Sequence, residues 1–564
     1  MPVSGSAPPV LVIGLDGATF QLLGPWIENG ELPCLSRLCR DGVRGMLQSV
    51  TPPLSPEAWS TFMTGKHPGL HGVMNFLCFR PGTYQLQFSN GSLLRGRTLW
   101  RILSEAGKRV GVMGVPMTYP PEPVNGYLVT GIETPSAGSG FTHPEGLADE
   151  LRQALGGYDL HGDFLDSGDP EEYLRRLLEM IDNQVRAACY LVKRYPADLS
   201  VCVIGATDRV QHAFWRYMDA GHPWHESGAA QAGAHHHAAL RDAVKTAFRR
   251  VDDALAEIME CVPEPRNVVV MSDHGFGPCH TMVHLNEWLE QRGYLALRPR
   301  KSVGLSALHR GYVAASRRTP RWLKDAAKSR LPALRRRMTS SLVFGNVSWP
   351  ETKAFAISTQ HGYVYLNRRD RFPQGPVEPG AEADQLCERL AAELSEMCDP
   401  ETGEAMVARV VHTCDEYRGP ACGALPDLIV LWRDGYVSRA KDIRPRGHQR
   451  IVEPTGRSID EWSGSHRAEG VLIAHGPAFA SPRTVEGARI VDLAPTVLHL
   501  LGLPVPDDMT GRVLEQILGD RFLSDSPVRY APAGKDDRPR SPGADFTAEE
   551  SAEVAERLRR MGYL

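Results

Sequence analysis

Short runs of β-branched and aliphatic residues recur along this chain, and three of them lead into an aspartate. Val10–Ile13 runs into Gly14-Leu15-Asp16-Gly17, Leu199–Ile204 into Gly205-Ala206-Thr207-Asp208, and Val268–Met271 into Ser272-Asp273-His274-Gly275. Val110–Val115, Leu428–Leu431 and Val471–Ala474 are runs of the same kind. Continuous apolar runs of this length suit strands covered on both faces, as in a parallel sheet. Helical patterns lie between them. Phe248, Val251, Leu255, Ile258 and Val262 recur at spacings of three and four and make one apolar face from Lys245 to Val262. The alternation predicts an α/β fold: a doubly wound, mostly parallel sheet with helices on both faces.

In an open sheet of that kind, ligands bind beyond the carboxyl ends of the strands. Asp16, Asp208 and Asp273 are therefore expected on one edge. Asp208 and His212 are spaced i, i+4, so one helical turn aims both the same way. His274 adjoins Asp273, and His466, in Gly464-Ser465-His466-Arg467, comes just before another strand-like run. Carboxylate oxygens with imidazole nitrogens suit zinc, manganese or iron, and five or six such groups exceed the needs of one tetrahedral ion. The plainer alternative is a set of helix-capping aspartates and core histidines.

Thr51 to Gly65 carries a second signal. Ser55-Pro56-Glu57 reads as a helix start, with serine at the N-cap, proline at the first helical position and an acid in the first turn. The same geometry puts a hydroxyl among free N–H groups at the positive end of a helix, which favours a nucleophile and binds phosphate.

The 564 residues are 42% hydrophobic and 23% charged, enough for a large core. A net charge of −4 lacks the excess of a nucleic-acid binder, so no nucleic-acid polymer is expected as a partner. Eleven scattered cysteines without a CxxC predict neither a disulfide framework nor a thiolate zinc site. With no signal peptide or apolar span in view, the cytoplasm is the expected location. Residues 298–337 hold thirteen Lys/Arg and one acid, Asp325. They read as a solvated helical insertion, with a basic lid or a membrane-surface patch as the sharper alternatives. TKAFAIST and GYVYLN, on either side of Gln360-His361, read as a pair of strands. Thr547 and Glu550 match a capping box for a last helix. The expected organisation is a core from residues 1–285, an inserted cap over 286–460, the rest of the core over 461–520, and a linker with a terminal helix over 521–564.

Taken in order, GLDGATF, SPEAWSTFMTGKHPGLHGV, ATDRVQHAFW, MSDHGFGP, GSHRAEGVL and DLAPTVLHLLGLPVPDDMTGRVL resemble the alkaline phosphatase superfamily. Within it they resemble the type I phosphodiesterase/nucleotide pyrophosphatase family. The middle of the chain is similar through ETKAFAIS, YVYLN, DPETG and PDLIV. The resemblance implies an alkaline-phosphatase-like sheet with an inserted cap and two divalent ions, zinc or manganese. Asp16, Asp273 and His274 would hold one ion, with Ser55 on it as nucleophile; Asp208, His212 and His466 would hold the other. Asn75, after His71-Gly72, would contact the phosphate. The implied reaction is hydrolysis of a small phosphodiester or pyrophosphate through a phosphoseryl intermediate. A phosphomonoesterase or a phosphotransferase on a lipid or sugar head group is the alternative enzyme, and a binding protein on the same fold is the alternative outside catalysis. Where nucleotide pyrophosphatases often read Thr-Phe-Pro-Asn, this chain reads Ser55-Pro56-Glu57-Ala58. Glu57 and Trp59 replace the Pro and Arg that formylglycine formation needs, which argues against a sulfatase. Arg209 and Gln211 read as surface residues or substrate contacts. The run His235-His236-His237 reads as an exposed loop, His67 and His71 as packing near the site, and Cys279 as core.

Overall fold

A computed structural model describes residues 7–136, 138–158, 169–225, 240–298, 344, 346–439, 462–534 and 546–560. Most of the basic stretch and His235 to His237 lie outside these residues. The strands of the two large sheets, in chain order, are β1 (Val10–Leu15), β2 (Val43–Gln48), β3 (Val110–Met113), β4 (Gly126–Val129), β5 (Thr142–His143), β6 (Leu199–Ile204), β7 (Asn267–Met271) and β8 (Gly275–Val283). There follow β9 (Ala354–Leu366), β10 (Val407–His412), β11 (Leu428–Trp432), β12 (Gly435–Arg439), β13 (Gly464–Arg467), β14 (Glu469–His475) and β15 (Arg483–Arg489). The helices that matter here are α1 (Ser55–Thr64), α2 (Pro170–Arg194), α3 (Ala206–Met218), α4 (Ala243–Glu260), α5 (Leu493–Leu500) and α6 (Ala548–Arg560).

Nine strands form the main sheet, in the order β15-β2-β14-β7-β1-β6-β3-β4-β5. The central strand β1 runs parallel to β6 and β7, and β3 continues parallel to β6 and β4. Leu11, Ile13 and Leu15 face a core shared with α2, α3 and α4, while Val10 and Val12 face a core shared with α1 and α5. The sheet is thus buried on both faces, which is why its strands are continuously apolar. Gly14 is required where α1 crosses β1, because a Cβ there would lie 2.4 Å from the Trp59 ring. Two runs expected in the parallel sheet behave differently. Val471–Ala474 lies in β14, which is antiparallel to both neighbours, β2 and β7. Leu428–Leu431 lies in β11, in a second sheet. An apolar run reports burial on two faces but not strand direction.

The second sheet has the order β10-β11-β9-β12-β8-β13 and its own core. Here the expected pair of strands is one buried strand, β9, of thirteen residues. Thr359 and Gln360 pair with β12, then Gly362 to Val364 pair with β11. Gln360, the last residue of the first pairing, takes a left-handed φ of 59°. A two-residue spacer between two β patterns looks like a hairpin turn; here one left-handed residue only shifts the strand to a new partner.

The start of α1 is also displaced by one residue from the expectation. Leu54 is the N-cap, Ser55 is already helical, and no side chain caps this end. One disulfide, Cys414–Cys422, closes a short loop beside α1, against the expectation drawn from scattered cysteines. The capping box forms: the Thr547 N–H donates to Glu550 Oε2 (2.8 Å), and the Glu550 N–H donates to Thr547 Oγ1 (3.2 Å). No described helix is long and apolar enough to cross a membrane.

Candidate active site

Asp16 leaves the end of β1, Asp208 sits in the first turn of α3 after β6, and Asp273-His274 link β7 to β8. Neighbouring strands therefore deliver these groups to one edge, as the sheet order dictates. His466 arrives from β13, whose antiparallel pairing sets it opposite Phe276 of β8. It sits inside a strand of the second sheet and, as its sequence position indicated, just ahead of β14.

Two clusters result. His274 Nε2 lies 3.5 Å from Asp16 Oδ1, 3.3 Å from Asp273 Oδ2 and 3.3 Å from Ser55 Oγ. Asp208 Oδ1 lies 3.2 Å from His212 Nε2 and 3.1 Å from His466 Nε2, and those two nitrogens are 3.1 Å apart. Donor atoms of Asp208, His274 and His466 also lie within 4.8 Å of one another, so His274 is common to both groups.

The imidazoles are held in one tautomer. Nδ1–H of His212 donates to Gly464 O (2.7 Å), that of His466 to Pro53 O (3.1 Å), and that of His274 to Gly275 O (3.0 Å). Carbonyl oxygens only accept, so each Nδ1 carries a proton and each Nε2 is the ring atom left to serve as a ligand. Trp462 stacks on His212 at 3.4 Å between centroids, and His274 stacks on His466 at 3.6 Å. Three imidazole nitrogens that converge with carboxylates on one small volume form a ligand set that suits a divalent cation. A tetrahedron with zinc bonds of about 2.0 Å has edges of about 3.3 Å. The separations in the Asp208–His212–His466 triangle, 3.1 to 3.2 Å, fit it.

The carboxylates give the same answer. Asp16 Oδ1 and Asp273 Oδ2 are buried and take no hydrogen bond. Burial, then the charges of Asp273 and Asp208, hold the Asp16 carboxyl well above its usual range. Burial pushes Asp273 up to about 7, against the pull of the Gly17 N–H. For Asp208 burial also works upward, but His212 and His466 pull the carboxyl well below its ordinary value. Burial, then the neighbouring His274, keeps His466 well below the usual imidazole value and so neutral. Buried anions without donors are unfavourable until a cation arrives.

Asn75 has a left-handed φ of 76°, and its buried Nδ2 has no acceptor. Its Oδ1 is taken by Thr359 Oγ1 (3.0 Å) and by the Leu77 N–H (3.4 Å). Glu57 is buried behind Ser55, accepts from Tyr363 Oη–H (2.8 Å), and is pushed by burial to about 8. Gln360 Oε1 accepts from Ser465 Oγ (3.1 Å) and the His466 N–H (3.4 Å), which turns its amide nitrogen to His466 Nε2 (3.1 Å). A small cavity of about 50 Å³ lies against Asp16, Ser55 and Asp208. Met113, Ile132, Tyr158 and Met180 make its apolar wall, with Gln184 and Arg209 as polar members.

The other sequence candidates fall outside the clusters. His71 Nδ1 accepts from the Val73 N–H (3.1 Å) while Nε2–H donates to Thr61 Oγ1 (3.0 Å). His67 stacks on Tyr417, and Cys279 is core. Gln211 is buried and braces Gly17 O and Thr207 O, both at 2.9 Å. Thr359, Gln360 and Tyr363 had no signal of their own, because a buried β run shows nothing of which residues reach a distant site.

The chain belongs to the type I phosphodiesterase / nucleotide pyrophosphatase family, whose sequence profile matches residues 10–457. Its fold is similar to that of phosphonoacetate hydrolase from Sinorhizobium meliloti, solved with phosphonoformate. The TM-score is 0.53 at 14% identity, over 88% of this chain and 96% of that one. Over 46 residues it is 50% identical to the 2,3-bisphosphoglycerate-independent phosphoglycerate mutase of Laribacter hongkongensis, covering 8% of each chain. Over 58 residues it is 47% identical to the corresponding mutase of Rhodopirellula baltica, covering 10% of this chain and 11% of that one. The chain thus spans about a tenth of the length of the mutases that it matches.

Proposed function

We propose that this chain hydrolyses a small phosphodiester or pyrophosphate through a phosphoseryl intermediate on Ser55. The observation that carries the reading is the convergence of three imidazole Nε2 atoms with buried carboxylates beside Ser55 Oγ. Asp16, Asp273 and His274 with Ser55, and Asp208, His212 and His466, would hold two divalent ions, zinc or manganese. Bound there, the ions would supply positive charge to the phosphoryl oxygens and lower the pKa of the serine hydroxyl.

Ser55 Oγ lies in the first turn of α1, where free backbone N–H groups and the helix dipole favour an anion. As the bond from Ser55 Oγ to phosphorus forms, the bond to the leaving oxygen breaks. Water then displaces serine from phosphorus, and two inversions give net retention. The Asn75 amide would donate to a phosphoryl oxygen, the acceptor its buried Nδ2 lacks. The cavity wall of Met113, Ile132, Tyr158 and Met180 would take the organic part of the substrate.

The short likeness to phosphoglycerate mutases favours a second reading, transfer of the phosphoryl group to an acceptor hydroxyl instead of water. The test is hydrolysis of bis-p-nitrophenyl phosphate against p-nitrophenyl phosphate, on EDTA-stripped protein with zinc or manganese restored. Metal-dependent diester hydrolysis that Ser55→Ala abolishes while keeping its metal supports the proposal. Undiminished turnover in Ser55→Ala removes the nucleophile, and phosphoryl transfer to added glycerate without net hydrolysis moves the assignment to the second reading.

A further inference from the structure

We propose that Gln360, on the second sheet, is a substrate-binding residue whose side-chain amide donates a hydrogen bond to the phosphoryl group at the Asp208–His212–His466 centre. The inference rests on the function proposed above and adds a residue that neither the sequence motifs nor the ligand set contains. Four observations lead to it.

First, Gln360 is 2% exposed and holds a left-handed φ of 59°. That conformation is unfavourable for a residue with a long side chain, and such strain persists where the surroundings require it. Second, the strain has a use. Side chains alternate along a strand, but Gln360 is the last residue in register with β12 before the strand changes partner, and its left-handed backbone breaks that alternation there. Third, the amide cannot flip. Ser465 Oγ–H and the His466 N–H both donate to Oε1, so Nε2 is the end that meets His466 Nε2.

Fourth, that contact cannot survive the loading of the site. His466 has one lone pair at Nε2, because its Nδ1 proton is committed to Pro53 O. Once the lone pair goes to a cation, the Gln360 N–H loses its acceptor inside a buried site. A buried donor needs a new partner. An anionic oxygen of a phosphoryl group bound at that centre would supply one, and phosphate has oxygens to spare. Asn75, anchored by Thr359 one residue earlier on the same strand, brings the other buried amide. Ser55 would thus face a phosphoryl group held between two carboxamides.

The experiment compares zinc-loaded parent protein, Gln360→Asn and Gln360→Glu. Asparagine tolerates the left-handed conformation but is too short to reach, and glutamate keeps the acceptor for Ser465 while removing the donor. Zinc content is read by elemental analysis and inorganic phosphate affinity by calorimetry. The expected result is undiminished zinc in both variants, with phosphate binding weakened about tenfold in Gln360→Asn and further in Gln360→Glu. Phosphate affinity equal to the parent's in Gln360→Asn overturns the proposal. Loss of zinc in both variants also overturns it, leaving Gln360 as a prop for His466. If the parent itself takes up no zinc, the phosphoesterase reading fails first, and that outcome is distinct from the other two.

Discussion

Replacing Asp273 by asparagine tests whether the cluster is built for cations. Asp273 is fully buried, its Oδ1 accepts the Gly17 N–H at 3.2 Å, and its Oδ2 takes no hydrogen bond. Burial above all moves its carboxyl from an ordinary 3.8 to about 7. At 1.36 kcal/mol per tenfold change, that gap corresponds to about 4 kcal/mol of resistance to ionisation in the folded chain. The sign follows from proton counting. Between pH 3.8 and about 7 the folded chain keeps a proton that the unfolded chain has released, so stability of the metal-free protein falls as pH rises. Below that window both states are protonated and nothing is lost; above it the whole penalty is present. Asparagine is neutral and keeps the bond from Gly17. Stripped of metal, Asp273→Asn should therefore exceed the parent in stability by a margin that grows from nothing near pH 4 to about 4 kcal/mol at pH 8. With saturating zinc the order should reverse, since bound metal stabilises the folded parent and the variant has lost a ligand. Urea midpoints followed by tryptophan fluorescence, in EDTA and then in zinc, give both results. A variant no more stable than its parent in EDTA at pH 8, or a margin that ignores pH, would refute the reasoning.

Asn75→Gly keeps a residue suited to the left-handed φ of 76° and removes the amide; kcat for diester hydrolysis should fall about 10²- to 10³-fold with zinc content unchanged. Tyr363→Phe leaves Glu57 Oε1 without the Tyr363 Oη–H that now meets it at 2.8 Å. Chemical denaturation should show a loss of about 1–3 kcal/mol. Reducing Cys414–Cys422 opens the loop in which Tyr417 Oη accepts the Thr51 N–H at 2.6 Å. Loop entropy predicts a loss of about 2–3 kcal/mol, seen as a lower thermal midpoint in dithiothreitol that Cys422→Ser reproduces without reductant.

Asp16, Asp208 and Asp273 could be read from sequence because a parallel sheet puts the ends of its strands on one edge. His212 followed from Asp208 by helical spacing, and His274 by adjacency to Asp273. The order of motifs supplied His466, but not its place in the second sheet, since the pairing of β13 with β8 joins residues about 190 apart. Glu57 and Tyr363 are 306 residues apart. No local pattern signals such a pair, and each looks ordinary alone, an acid in a first helical turn and an aromatic in a strand. The spacer Gln360-His361 misled for a definite reason: a left-handed residue is as much a mark of a turn as of a kinked strand, and only the pairing on each side distinguishes them. Strand direction was hidden in the same way for Val471–Ala474, where burial on two faces produced a parallel-looking run in an antiparallel strand.

Within β9, Thr359 holds Asn75, Gln360 meets His466 and Tyr363 holds Glu57, all inside five residues. The second sheet therefore braces the groups of the candidate site directly through one strand. A chimera that exchanged this region with a relative while retaining every proposed ligand of the host would still remove the contacts that hold Asn75 and the Glu57 side chain of α1. A transplant that keeps this arrangement must carry residues 359–363 together with their partners at 57, 75 and 466. If the proposed function holds, the unit that travels with the chemistry is this one strand with its three partners.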